Sequence, residues 1–544
     1  MMMASALILA SAGPLSGQGA PSPMSRAARA VDTLPMKAHL EFLASDLLEG
    51  RKPGTRGGKL AALYLKTQFE RLGLEPAGDS GTYYHRVPII SLTPHPALTV
   101  TGTSGPAPEY MKDYMLWSMH DSADVSAAGE LVYVGYGIVA PEYGWNDYAG
   151  TDVKDKIVVT LVNDPGLQDS TIFRGSALTY YGRWTYKIEE AERQGAAGIL
   201  MIHTTPSATY PWSTVASSWS GPQLQVARPA GPLKVAGWIT DAEAARLLGG
   251  AAGLDSLTRA AARHGFHAVP LGLTARAAVH SDVQLTETFN VVARLPGQGP
   301  HRDEAVIIGG HYDHFGIGTP VNGDSIYNGA EDNASGTAAV LAVAGALVRS
   351  GARPDRSILF MGFAAEEAGL LGSTAFAAHP TLPIRDVAAV LNMDVMNLHG
   401  AGRDISALGL DQSSLGGVFR RAARAEGLSV TVNQEALRTG AFFRSDHFPF
   451  ARAGVPALSL EGPTRFVGKP ADYAKTIADD YTEHRYHQPS DEVLPSFSYR
   501  GAAQQMRVIV RTALLIADTP AMPTWNRDSE FRQAGEARLA GDGN

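Results

Sequence analysis

Five side chains of metal-ligating type and one spare carboxylate follow one another between Gly310 and Gln488. His311 stands in Gly-Gly-His-Tyr-Asp-His, Asp332 in Gly-Ala-Glu-Asp-Asn-Ala-Ser-Gly, and the pair Glu366-Glu367 in Phe-Ala-Ala-Glu-Glu. Asp394 stands in Leu-Asn-Met-Asp and His487 in Arg-Tyr-His-Gln-Pro-Ser-Asp. Two imidazoles and three carboxylates, one of them able to bridge, suit a pair of zinc ions, and the remaining carboxylate is free to act as a base. Zinc takes nitrogen and oxygen donors, keeps a coordination position open and lowers the pKa of bound water toward ~7. Two such ions roughly 3.5–4 Å apart need a bridging carboxylate to hold them there. Taken singly, each residue is more often structural, and a Glu-Glu pair is commonly a solvated face. The ordered set lies in Gly-rich and apolar surroundings, where a carboxylate without a partner is costly. That setting points to a two-metal hydrolase.

Several of these residues follow an apolar run that reads as a buried parallel strand. Ala305–Ile308 leads to His311, Ile358–Met361 to Glu366-Glu367, and Val387–Leu391 to Asp394. An open α/β sheet collects its site at the carboxyl ends of such strands. Asp332 instead opens a helix whose body is Ala338–Leu347, with Asn333 and Ser335 near its start and Gly351 and Pro354 beyond its end. The helix dipole favours a carboxylate there.

With these residues in place, the chain resembles the co-catalytic zinc exopeptidases, the family of aminopeptidase Y, bacterial leucyl aminopeptidases and glutamate carboxypeptidase. The likeness rests on His-x-Asp, Asp-Asn-Ala-Ser-Gly, Glu-Glu, Asn-Met-Asp and Tyr-His-x-Pro-x-Asp, and covers roughly Asn290 to Ala517. It implies two Zn²⁺ per chain: His311 and Asp394 on one ion, Glu367 and His487 on the other, Asp332 bridging. It implies Glu366 as general base and Asp313 as the carboxylate that orients His311. It also implies a cis peptide bond at Asp332–Asn333. The segment Ser445-Asp446-His447 is similar to one near the family's substrate pocket, which makes Asp446 and His447, with Tyr486, candidate substrate-binding residues. His314, His379, His399 and His484 are expected on the surface or in a second layer.

Length and composition frame this reading. A chain of 544 residues with 44% hydrophobic content is expected to form two folded units. A net charge of −8 without a basic cluster excludes nucleic acid as a partner. The lack of cysteine excludes disulfides, thiol nucleophiles and thiolate zinc sites. Ala4–Gly13 is a short apolar stretch followed by small residues, which reads as a secretory signal, although Met1-Met2-Met3 carries no basic residue. An exported protein, periplasmic or secreted, is expected, without membrane insertion because no run is long enough to span a bilayer. Periodicity marks no dimer surface and leaves the oligomeric state open.

Along the chain, residues 1–30 read as signal peptide and leader. Residues 31–109 read as the N-terminal part of a catalytic domain, with helical faces around the polar loop Glu49–Thr55. Residues 110–278 read as an insert: strands near Glu130–Tyr136, Lys156–Val162 and Ala197–Ile202 and a helix at Tyr186–Gln194 resemble a protease-associated domain. Its aromatic loops Thr179–Trp184 and Tyr210–Trp219 are placed to roof an active site. Residues 279–520 complete the peptidase domain, where Gly462–Tyr486 reads as a long loop with Tyr473, Tyr481 and Tyr486 forming a pocket wall. Residues 521–544 read as a loose tail. The expected architecture is a zinc-exopeptidase-like α/β/α sandwich with a mostly parallel central sheet, plus the smaller α/β insert.

The resulting activity is zinc-dependent release of N-terminal residues from peptide substrates. Two alternatives stand beside it. A carboxypeptidase of the glutamate-carboxypeptidase type would hold the substrate's carboxylate with arginines, and Arg438, Arg444 and Arg452 lie near the Ser-Asp-His segment. A non-catalytic receptor-like protein on the same frame would have no use for an intact Glu366.

Overall fold

The computed structural model describes residues 22–208, 210–227 and 230–541. The apolar stretch Ala4–Gly13 lies outside them. Helix α1 (Pro23–Arg29), within the stretch expected as leader, buries Ala27 and Ala28. Helices α2 (Thr33–Leu43) and α3 (Arg56–Arg71) follow. Strand β1 (Tyr84–Thr101) then carries the chain outward to β2 (Tyr114–Ser118), β3 (Asp124–Tyr133), β4 (Ile157–Leu161), α4 (Trp184–Arg193), β5 (Gly198–His203) and β6 (Val235–Thr240). The 27-residue β7 (Val269–Leu295) returns it, pairing antiparallel with the whole of β1. Beyond it come, among others, β8 (Ala305–His311), α5 (Gly336–Arg349), β9 (Ser357–Phe363), α6 (Leu371–Ala378) and β10 (Val387–Asn392). They continue with β11 (Asp404–Leu408), α7 (His447–Arg452), β12 (Ala457–Glu461), α8 (Tyr473–His484), α9 (Arg500–Ala517) and α10 (Arg532–Ala540).

One sheet runs in the order β11-β12-β10-β8-β9-β7-β3-β4-β5-β6-β2. Strands β9, β8, β10 and β12 are parallel, as are β3 through β6. The long β7 is antiparallel to both β9 and β3 and so joins the two parallel halves. Alternation along the strands makes the half built on β8, β9 and β10 a sandwich. Val306, Ile308, Ile358 and Phe360 pack toward α5 and α9, while Ile307, Leu359 and Met361 pack toward Phe376 of α6 and Phe450 of α7. Each fully buried side chain of this size contributes about 1.5–3 kcal/mol. Truncating Phe360, which is wholly buried, costs about 3–5 kcal/mol.

Three sequence expectations are corrected here. The segment 462–486 is not simply a loop, because it holds α8. None of that helix's residues is buried, so it has no apolar stripe for periodicity to detect. The tail is not loose through residue 541. Trp525 and Phe531 pack against Phe442, Phe443 and Phe448, Trp525 Nε1 donates to the Gly454 carbonyl at 3.0 Å, and Arg538 donates to that of Val387 at 2.7 Å. The third concerns Arg51 in the polar loop Glu49–Thr55. It is buried and donates to the carbonyls of Tyr312 (2.7 Å), Leu43 (2.5 Å), Asn328 (2.6 Å) and Gly329 (3.0 Å). This guanidinium ties α2 to the strand end carrying His311 and to the turn that precedes Asp332. Among the described residues, no helix is long and apolar enough to cross a membrane.

Candidate active site

The carboxyl ends of the parallel strands deliver the expected residues to one place. His311 is the last residue of β8, Glu366-Glu367 follow β9, and Asp394 follows β10. Asp332 lies in the turn Ala330–Ser335 ahead of α5, where the Asp332–Asn333 bond is cis. His487 follows α8. Asp332 Oδ1 is 3.2 Å from His311 Nε2 and its Oδ2 is 3.3 Å from His487 Nε2. Asp394 Oδ1 stands 3.3 Å from His311 Nε2, and Glu367 Oε2 stands 3.3 Å from His487 Nε2. Glu366 Oε2 is farther, 4.0 Å from His311 Nε2. Donor atoms of His311, Asp332 and Glu367 lie within 4.8 Å of one another, and so do those of His311, Glu366 and Asp394.

A polar scaffold sets these positions. Asn333 donates to the Met393 carbonyl at 3.0 Å and accepts from the backbone N–H of Gly336 (2.8 Å) and Val395 (3.2 Å). The Asp332 turn is thereby fastened to the Asp394 loop. That approach requires Gly336, since a Cβ there would meet the Met393 carbonyl at 2.1 Å. Ser445 donates to Asp394 Oδ2 at 2.6 Å and accepts from Asn392. Three residues at or beside the ligands, Ala365, Val395 and His487, hold positive φ angles of 54–57°. Such a conformation is costly for a β-branched residue such as Val395 and is kept where surrounding contacts enforce it.

Burial and then like charge, from Asp394 for Glu366 and from Asp332 for Glu367, push both glutamates well above the usual carboxylate range. Burial works against ionisation of Asp332 too, but hydrogen bonds from His311 and His487 outweigh it and hold its carboxyl below the ordinary range. This excess of buried negative charge on nitrogen and oxygen donors, with one carboxylate facing both imidazoles, fits divalent zinc.

Other expected residues stand differently. The Asp313 carboxylate does not hydrogen-bond His311. Its Oδ1 is 3.9 Å from Nδ1, which faces the Asp313 backbone carbonyl at 3.3 Å, while Oδ1 accepts the Glu366 backbone N–H at 3.1 Å. The Asp313 carboxylate thus holds the Glu366 backbone rather than the His311 ring. His314 takes the second of its two expected places, a layer behind the site, buried with Nδ1 2.6 Å from Glu367 Oε1. Asp446 and His447 are fully buried and absent from the cavity wall. Asp446 accepts from Ser373 at 2.6 Å, and His447 packs against Phe442. Of the three tyrosines, Tyr486 alone lines the cavity, stacked on His487 at 3.7 Å.

Residues that the sequence reading passed over include Ser445 and Asp491, although both stand inside motifs it quoted. Glu331 is another: it pairs with Arg485, and His399 Nε2 lies 2.8 Å from its Oε2. Nothing local distinguishes it from a solvated acid.

The site opens into a cavity of about 710 Å³. One side comes from the 102–268 segment, where Trp117, Trp184 and Trp219 line it and Trp117 stacks on Trp219 at 3.8 Å. Both aromatic loops therefore reach the cavity. Of the three arginines near Ser445, Arg438 is paired with Glu435 and Arg452 with Glu189. Arg444 lines the cavity without a carboxylate and donates to the Thr439 carbonyl.

Residues 290–512 match peptidase family M28. Leupeptin-inactivating enzyme 1 of Streptomyces exfoliatus is 32% identical over 191 residues, covering 35% of this chain and 38% of that protein. Leucine aminopeptidase 1 of Penicillium rubens is 38% identical over 113 residues, covering 20% of this chain and 28% of that one. The matches thus span well under half the length of these relatives. Among solved structures, the aminopeptidase from Aneurinibacillus sp. strain AM-1 is 20% identical with a TM-score of 0.45, covering 92% of this chain and 97% of that one.

Proposed function

We propose that this chain, which carries a peptidase family M28 domain across residues 290–512, is a zinc-dependent aminopeptidase that trims peptides from a free N-terminus. The observation that carries the reading is the two-sided carboxylate of Asp332, with one oxygen on each of two imidazoles and a second acid behind each. On this reading His311, Asp394 and Asp332 would hold one Zn²⁺, and Glu367, His487 and Asp332 a second. When bound, the ions supply Lewis acidity and water activation.

The rest falls to the chain's own residues. Glu366, set back from the imidazoles and held by the Asp313 contact to its backbone N–H, takes the proton from the attacking water and hands it to the departing amine. A carboxylate placed this way is suited to that exchange. Ser445 and Asn392 keep the Asp394 carboxylate turned inward, and His314 does the same for Glu367. The tryptophan-lined side of the cavity excludes water and meets the substrate's side chains. Residues 110–278 act on this reading as a protease-associated insert, and export is proposed from Ala4–Gly13.

The test is a mass-spectrometric time course of zinc-loaded protein with unblocked, N-acetylated and C-amidated copies of one peptide. A ladder growing from the N-terminus and abolished by acetylation is expected. Trimming from the other end, blocked by amidation, would replace the reading with a carboxypeptidase.

A further inference from the structure

The wall of the cavity that holds Asp332 also carries charged residues of α4 and its surroundings, Arg183, Glu189, Glu192, Arg444 and Arg452. Arg183 precedes α4 and lines the cavity, yet its guanidinium makes no hydrogen bond or ion pair with any described residue, and its Nε is closed off from solvent. Two residues on, Thr185 lines the same cavity, and its hydroxyl is also buried without a hydrogen-bond partner among the described residues. Arg444 reaches this wall too. Burial, and then the charge of Arg444, bring the Arg183 pKa down to about 10, so the two cations sit close enough to repel. The ten-residue α4 starts here, and no side chain caps its first N–H groups.

The neighbouring arginines are different: Arg452 has Glu189 at 2.8 Å and Arg193 has Glu190 at 2.7 Å. The unmet Nε donor of Arg183 carries a desolvation cost, and the charge of Arg444 adds repulsion to it. A planar oxyanion removes both costs, because a carboxylate accepts two parallel N–H groups from one guanidinium and keeps lone pairs for a hydroxyl and a helix N-terminus.

We propose that Arg183, Thr185 and Arg444 form a receptor for a substrate carboxylate, making the enzyme selective for peptides that present an anion to this wall. The inference rests on the peptidase reading for its substrate class. The anion is either the C-terminal carboxylate of a short peptide or an acidic side chain.

Three matched pairs separate these sources on the zinc-loaded full chain: Leu-Gly against its amide, Leu-Glu-amide against Leu-Gln-amide, and Glu-Leu-amide against Gln-Leu-amide. In one pair at least, kcat/KM favours the carboxylate by about tenfold or more, mostly through KM, the scale of one charge-assisted contact. Arg183→Gln brings that ratio to within about threefold of one, whereas Arg183→Lys keeps part of it. Arg444→Gln, at an exposed position, moves it the same way. Equal kcat/KM within all three pairs overturns the receptor and leaves the peptidase reading standing. If no peptide is cleaved, the peptidase reading falls, and tryptophan fluorescence decides the anion site alone. Saturable quenching by succinate but not succinamide, lost in Arg183→Gln, upholds the site, and identical responses overturn it.

Discussion

Asp491 accepts the backbone N–H of Asp332 at 3.1 Å through one carboxylate oxygen, while its other oxygen accepts that of Glu331 at 3.0 Å. Asp491 lies four residues beyond His487, so one buried side chain fixes the turn of one zinc-ligand candidate to the loop of another. Replacing it by alanine strands two buried N–H groups, each costing about 1–3 kcal/mol. Asp491→Ala should lower zinc affinity about 10–100-fold, the usual scale for an outer-shell partner. Zinc per chain, measured after dialysis against graded chelator, reads this directly. Undiminished affinity would show that the turn holds without its anchor.

Glu366 and Asp332 should separate cleanly. Glu366→Gln is expected to keep both ions and lose about 10²–10⁴ in kcat. Asp332→Ala should lose metal and rate together, because one carboxylate serves both imidazoles. Metal analysis beside steady-state kinetics distinguishes the pair. A Glu366→Gln enzyme at full speed would remove Glu366 from the chemistry.

Arg51 tests the frame rather than the site. Arg51→Met leaves four carbonyls short of a donor and should cost on the order of 3–5 kcal/mol. Urea unfolding gives the value. A loss under about 1 kcal/mol would mean that water substitutes for the guanidinium.

A fourth prediction concerns pH. Glu530 accepts the Tyr180 backbone N–H at 2.7 Å, and its other oxygen is buried and unbonded. Burial pushes its pKa up to about 8, the Tyr180 N–H and Arg174 opposing this and Asp164 and Glu142 adding to it. A folded-state pKa above the unfolded one stabilises the protein fully at low pH, and that contribution is lost as pH rises from about 4.5 through about 8. Glu530→Gln keeps the acceptor and removes the ionisation. Its Tm should match wild type near pH 5 and exceed it near pH 8. Parallel melting curves at both pH values would contradict this.

The sandwich and the clustering of these acids and imidazoles were legible because both have local signatures. Apolar runs such as Ile358–Met361 mark strands, and an acid or imidazole placed just past them in a Gly-rich context has few structural uses. What escaped depends on contacts between distant parts of the chain. Arg51 sits in a polar Gly/Pro loop that looks solvated, yet its acceptors Tyr312, Asn328 and Gly329 lie far along the chain. Asp446 and His447 resembled pocket residues by position in a motif, but Ser445 alone of that triplet faces the cavity. The direction of a side chain in a short turn is set by packing against Phe442 and Ser373, which no spacing rule encodes. Trp525 and Phe531 were the missed sign that the tail is anchored.

The β1–β7 ribbon has a consequence for how such a molecule changes over generations. The acids and imidazoles around Asp332 all come from residues 311–487, whereas Arg183, Thr185 and the three tryptophans across the cavity come from the stretch between the ribbon's two strands. Substitutions in that stretch can reshape the facing wall without disturbing a single donor around Asp332. Much of the wall that meets a substrate is thereby encoded apart from the acids and imidazoles, with Arg444 as the exception on their own side, so selection can revise most of the first and leave the second alone.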